Sequence, residues 1–222
     1  DDPWIRTAVL TSIRSPIDFL AALAPLSSIE DPKPLPAGLL DLIRRTAQLV
    51  GAGREAVSTA TVQRLTAAGR SDATTAALAG LSEGLERAHR KFEEAAGPEA
   101  AAWYDRARKT LAEVASRDDV RVDAVRFLRF DPSTATRDAL FGLLESDPST
   151  AVQREAVRAL ARRNDDVATR LLGRWPTATP SLRLEIQDAL FQKPGRLSAL
   201  FAAIDAGEVQ PAEIDLERRR QL

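Results

Sequence analysis

Residues 49–56 read LVGAGREA, and Gly51-Ala52-Gly53-Arg54-Glu55-Ala56 fits the G-x-G-x-x-A form of a dinucleotide-binding fingerprint. Such a loop works by bringing backbone N–H groups close to a pyrophosphate, which glycine permits and a following helix N-terminus favours. It needs a β-strand before it, a helix after it, and an acid about 20 residues on for the ribose. Asp72 stands near that distance. What precedes the glycines, however, is LLDLIRRTAQLV, where Leu40, Ile43, Ala47 and Val50 fall at helical spacing. The expectation is a helix terminus, with Gly51 or Gly53 in the left-handed region that closes it and no cofactor above it.

Other groups capable of chemistry are few. Cysteine is absent, which removes disulfides, thiolate metal sites, Cys nucleophiles and C-x-x-C-H haem attachment. His89, in EGLERAHRKFEE, is the single histidine, so neither a His-x-x-x-His metal pair nor an Asp-His-Ser arrangement has support; it reads as a solvated helix residue. The acids interleave with arginine, as in Glu86/Arg90 and in Glu155 beside Arg154 and Arg158, the pattern of solvent-facing ion pairs. Arg154, Arg158 and Arg162, with Arg163 beside them, form an i, i+4, i+8 stripe that could meet phosphates. The equivalent positions elsewhere are Val122, Arg126 and Phe130, or Leu184, Asp188 and Gln192, so the stripe does not propagate. Trp4, Trp103, Tyr104 and Trp175 are candidate interface anchors. Trp175, just before Pro176, reads instead as packing between repeats. No residue is assigned a catalytic, cofactor-binding or metal-ligating role.

The elements that would position these groups are written in a repeat. The frames IRTAVLTSI (5–13), VRVDAVRFL (120–128), VQREAVRAL (152–160) and LRLEIQDAL (182–190) share apolar residues at positions 0, +4 and +8. Those positions hold Ile5, Val120, Val152 and Leu182, then Val9, Ala124, Ala156 and Ile186, then Ile13, Leu128, Leu160 and Leu190. Position +7 is small in three frames, as Ser12, Ala159 and Ala189. This is one face of an amphipathic helix. Between the last three frames there is room for one more helix each, near 134–145, 165–175 and 196–206. DPSTA occurs at 131–135 and 147–151, with Asp suited to an N-cap and Pro to the first helical position. A two-helix unit of about 30 residues, repeated, is an α-solenoid. Further helices are expected at 16–25, 37–50, 54–68, 73–92 and 98–117, with breaks at SSIEDPKPLPAG (27–38) and AAGPEAA (95–101). ERRRQL (217–222) reads as the start of another helix. No period-two alternation appears, so no sheet is expected.

Composition is that of a globular chain, not a disordered one. The chain is 222 residues long, 44% apolar and 28% charged, enough to bury a core. Its net charge of −1 argues against a dominant nucleic-acid or anionic-membrane surface. No apolar run reaches the roughly 18 residues of a membrane span. The chain starts at Asp1 and contains no methionine, which points to a domain excised or processed from a larger protein.

DDVRVDAVRFL (118–128) and DPSTAVQREAVRAL (147–160) resemble HEAT-like repeats, whose second helix commonly reads D-x-x-V-R-x-x-A-x-x-A-L. A narrower resemblance rests on Asp2-Pro3-Trp4-x-Arg6, Trp175, Leu182-Arg183, Ala206-Gly207-x-Val209 and Arg218-Arg219; residues 51–117 match only loosely. In these features the chain is similar to the helical region of large exported bacterial membrane-bound dehydrogenase proteins. Those carry a sugar-dehydrogenase-like β-propeller before the helices and a c-type haem domain after them. The resemblance implies a periplasmic or cell-envelope location and a spacer role between those domains. It brings no active-site residue with it.

The expectation is thus an all-α fold: one right-handed HEAT-like superhelix over 1–222, less regular at 51–117. It would act as a scaffold or protein-interaction module without catalysis or cofactor, its partners being flanking domains or another protein. A nucleic-acid-binding HEAT-like domain of the DNA-glycosylase type is the alternative, and an enzyme using interior carboxylates is a third class.

Overall fold

The computed structural model describes residues 12–23, 33–66, 70–164 and 166–220. Most of the frame 5–13, Trp4 and part of the proline-rich loop lie outside the described residues. All regular structure among the described residues is helical, with no strand. None of the described helices is long and apolar enough to cross a membrane. The chain divides into two compact units, Asp1–Asp131 and Pro132–Leu222.

The first unit holds α1 (Pro16–Leu23), α2 (Ala37–Ala52), α3 (Thr59–Thr66), α4 (Ser71–Arg87), α5 (Phe92–Ala96), α6 (Ala100–Ala112) and α7 (Asp118–Leu128). Helix α4, SDATTAALAGLSEGLER, is its centre: every residue from Thr75 to Ser82 is buried. A helix without a polar face must be surrounded, and α2, α3 and α7 pack around it. Glycines set the approach of α4 to α2. Gly80 lies on the Arg44 carbonyl, and Gly84 on the Gln48 carbonyl and the Cα of Gly51. Phe92, Tyr104 and Phe127 tie α5, α6 and α7 together, with the ring centroids of Phe127 4.9 Å from each of the other two.

The expected helix over 73–92 stops early, at Arg87. His89 takes φ +55, the left-handed region. Its N–H bonds the Glu86 carbonyl, and the Arg90 N–H bonds the Leu85 carbonyl. These two bonds make a Schellman terminus with histidine in the position usually held by glycine. His89 is solvent-exposed, as expected, but it closes the helix instead of continuing it.

The second unit holds α8 (Thr134–Ser146), α9 (Thr150–Arg162), α10 (Ala168–Gly173), α11 (Pro180–Phe191), α12 (Pro194–Asp205) and the short α13 (Leu216–Arg219). Helix α8 packs on α9 and α11 on α12, while α9 also lies beside α11 and α10 beside α12. Neighbours one repeat apart therefore stack. The repeated face is buried as the spacing requires: Ala156, Leu160, Ile186 and Leu190 have no exposure.

The DPSTA segments cap differently from the expectation. Both helices begin one residue past the serine, and Ser133 and Ser149 are the N-caps, accepting from the N–H of Thr136 and Val152. Asp147 instead accepts from Ser149 N–H at 2.9 Å, and Asp131 pairs with Arg108. Asp147 braces the turn before its helix, Asp131 ties its turn to α6, and the shorter serine side chain reaches the free N–H groups.

Past α12, Gly207 at φ +74 completes another Schellman terminus, with Glu208 N–H on the Ala203 carbonyl. The following segment lies over α11 and Trp175. The Trp175 indole N–H donates to Glu213 at 3.2 Å, Gln187 donates to the Glu213 carbonyl, and Asp215 N–H donates to Gln187.

Candidate functional site

The GAGREA stretch follows a helix, not a strand. Helix α2 runs through Gly51 to Ala52, and Gly53 leaves it extended, at φ −63 and ψ 164. The expected left-handed glycine is therefore absent at both positions, and the reason is a side chain from elsewhere. The Arg90 guanidinium donates to the carbonyls of Gly51 and Gly53 at 2.6 Å and of Glu55 at 2.8 Å. It thus supplies donors to one orphan carbonyl in the last turn of α2 and to two carbonyls just beyond it. The left-handed His89 precedes Arg90, so the end of α4 delivers the cap for the end of α2. Gly51 is needed for a different reason, close contact: a Cβ there would sit 2.3 Å from the Leu81 carbonyl oxygen. Gly53 N–H is bonded to the Val50 carbonyl, and the next helix starts only at Thr59. The stretch thus lacks the strand and the immediate helix N-terminus of a phosphate cradle. Residues 53–57 line a groove of about 410 Å3 with Arg14, Ser15 and Ile17.

Glu86 does not pair with Arg90; it meets Arg129 at 3.0 Å. Several acid–arginine pairs join different helices. Glu185 on α11 receives Arg154 at 2.7 Å and also Arg158, both from α9, so two arginines of the basic stripe share one buried carboxylate. Burial pushes the Glu185 carboxyl up, but hydrogen bonds from Arg158 and Arg154, with their charges, outweigh it and hold it below its usual value. Glu155, expected to face solvent, is also buried and meets Arg158.

Several cations act as helix caps, a use that sequence spacing did not reveal. Arg196 donates to the carbonyls of Ala161, Ala189 and Arg163, each at 2.9 Å. Arg163 donates to Pro132 and Ser133, and Lys193 to Arg163. Arg121, almost wholly buried, donates to the Leu111 carbonyl at the end of α6. Cations are favourable at the negative C-terminal ends that Arg121, Lys193 and Arg196 reach; Arg163 instead ties down the turn before α8. In the second unit, links such as Arg154–Glu185, Arg163–Ser133, Arg183–Glu213, Lys193–Arg163, Arg196–Arg163 and Arg218–Asp188 join residues 30 to 33 apart. That is one repeat.

In the first unit, Asp123 on α7 sits beside Arg126 at 2.9 Å and Arg44 at 3.9 Å. Arg44 also reaches Asp41 and Glu83. Burial lifts the Asp123 carboxyl to about 6 against the pull of both arginines, with Glu83 adding to the rise. Among the described residues no group of three or more His, Cys, Asp or Glu is placed to hold a metal ion.

The aromatic candidates separate. Trp175 and Tyr104 are core residues, Tyr104 donating to Glu93 at 3.0 Å. Trp103 is half-buried, with the Arg106 guanidinium 4.4 Å from its ring centroid, and it lines a second groove of about 340 Å3. Comparison with known proteins gives no matching family model, no similar curated protein and no similar solved structure.

Proposed function

We propose that the chain is a non-catalytic scaffold of stacked HEAT-like helix pairs, wound as a right-handed superhelix, that holds flanking domains or another protein in fixed relation. The observation that carries this reading is the one-repeat separation of the polar links in the second unit. Repeat proteins contact mainly their nearest neighbours, so their side-chain links fall one period apart. The same links occupy the arginines and acids that could otherwise converge on a substrate. In the exported dehydrogenase-like setting, the flanking domains would be a β-propeller and a c-type haem domain, and the helices would space them.

The nucleic-acid alternative loses support, because Glu185 and Glu155 between them engage Arg154 and Arg158 where phosphates would have to bind. Cross-linking mass spectrometry on the protein as the cell makes it tests the scaffold. Cross-links from Lys193 or from Asp188 of α11 to residues outside 1–222 or to a second protein are expected. Only internal cross-links would sink the proposal. A duplex-DNA mobility shift persisting near physiological salt would instead favour the nucleic-acid reading.

A further inference from the structure

Helices α4 and α6 both rest on α7 yet scarcely touch each other. The groove between them, about 340 Å3, falls within the roughly 300–1,000 Å3 of small-molecule sites. Ser71, Thr74 and Thr75 line it from α4, and Trp103, Arg106 and Thr110 from α6, at i, i+3, i+4 and i, i+3, i+7. Each set is one helix face, and Phe127 of α7 contributes to the lining between them.

The polar groups have a defined sense. Thr75 and Thr110 are buried, and their hydroxyl hydrogens go to the carbonyls of Ser71 at 2.7 Å and Arg106 at 3.2 Å. What they can still offer is oxygen lone pairs, so they accept from a ligand. Arg106 and Lys109 are exposed at the rim, and among the described residues neither makes an ion pair. The lining acid, Glu113, receives Ser116 at 3.3 Å. Trp103 lines the groove with its indole, over which the Arg106 guanidinium lies 4.4 Å from the ring centroid.

We propose that this groove binds a small hydroxylated organic anion. Its carboxylate or phosphate lies on Arg106 and Lys109, its hydroxyls donate to Thr75 and Thr110, and its C–H face packs on Trp103. Binding here is independent of the scaffold role, which uses none of these residues.

Calorimetric titration of the full chain tests it, with gluconate and glucose 6-phosphate as probes. Glucose, acetate and inorganic phosphate are the controls. At least one probe should bind saturably, with every control weaker by about tenfold or more, the size of one lost charge-assisted hydrogen bond. Preference for gluconate identifies a carboxylate ligand, and the reverse preference a phosphate ester. Arg106→Gln and Lys109→Gln, both at exposed positions, should each weaken binding about tenfold while leaving the melting temperature unchanged. No heat from either probe, equal binding of inorganic phosphate and glucose 6-phosphate, or unchanged affinity in both variants would each overturn the proposal.

Discussion

Replacing Gly80 by alanine sets two effects of opposite sign against each other. In an exposed helix the change should stabilise by about 1 kcal/mol, because alanine has the better helix propensity. At Gly80 the new Cβ would lie 1.9 Å from the Arg44 carbonyl oxygen and 2.7 Å from its carbon. That is about 1.5 Å inside the 3.4 Å where ordinary contact begins, and the opposing atoms are backbone, which cannot rotate away. Helices α2 and α4 would have to part, opening gaps beside Ala47, Ala76 and Ala77, which are now fully buried. Overpacking typically costs about 1–3 kcal/mol, and a rigid clash belongs at the top of that range or beyond. The net loss expected is therefore about 2 kcal/mol or more. Gly142, inside α8, is the internal control: nothing lies within 4 Å of a Cβ built there. Gly142→Ala should gain about 0.5–1 kcal/mol. Urea unfolding followed by circular dichroism gives both values, and hydrogen exchange in α4 locates the loss. If Gly80→Ala proved as stabilising as Gly142→Ala, the two helices could not cross at this distance.

Three further outcomes are expected. Asp123 is unfavourably ionised in the fold, its carboxyl lifted from 3.8 to about 6 by burial; its contribution is intact below the unfolded value and lost as pH rises through 6. Asp123→Asn should thus gain on the wild type between about pH 4 and about pH 7.5, by up to about 3 kcal/mol at roughly 1.4 kcal/mol per unit. Urea midpoints that move in parallel at the two pH values would contradict it. His89→Gly should raise stability by about 1 kcal/mol by relieving a left-handed residue, and His89→Val should lower it; equal melting temperatures would show that the turn is not strained. Leu160→Ala should cost about 2–5 kcal/mol and Ala156→Leu about 1–3 kcal/mol, since neither residue has any exposure. Wild-type melting temperatures in both would mean the repeated face is not the buried one.

Helical periodicity is a local signal, and what it could express was legible. The faces of α9 and α11 repeat in the sequence because each buries the same stripe and the two lie side by side; α7 carries the same stripe and buries it among α4 and α6. The all-helical class follows from that pattern. The ends of helices were less legible, because their carbonyls are satisfied from a distance. Arg90 caps α2 from 39 residues away, and Arg196 reaches Ala161 from 35. Nothing in LVGAGREA announces the first of these, so a left-handed glycine was the sound local expectation.

The glycines themselves were visible, but their purpose was not. Gly80 and Gly84 stand four apart on α4, and Gly84 meets Gly51 of α2. Only the pairing of the two helices shows that Gly51 serves backbone contact instead of backbone freedom. The same limit applies to the groove at Trp103. Ser71, Thr74 and Thr75 are ordinary helix-start residues in sequence, and Arg106 and Lys109 are ordinary surface cations. They become one site because α7 holds α4 and α6 apart. A motif search weighs residues that are adjacent in the chain, whereas here the Arg90 cap on Gly51, the Arg196 cap on Ala161, the glycine crossing and the anion groove each join residues about thirty or more apart. The reach of one helical repeat is therefore the distance at which this sequence has to be read.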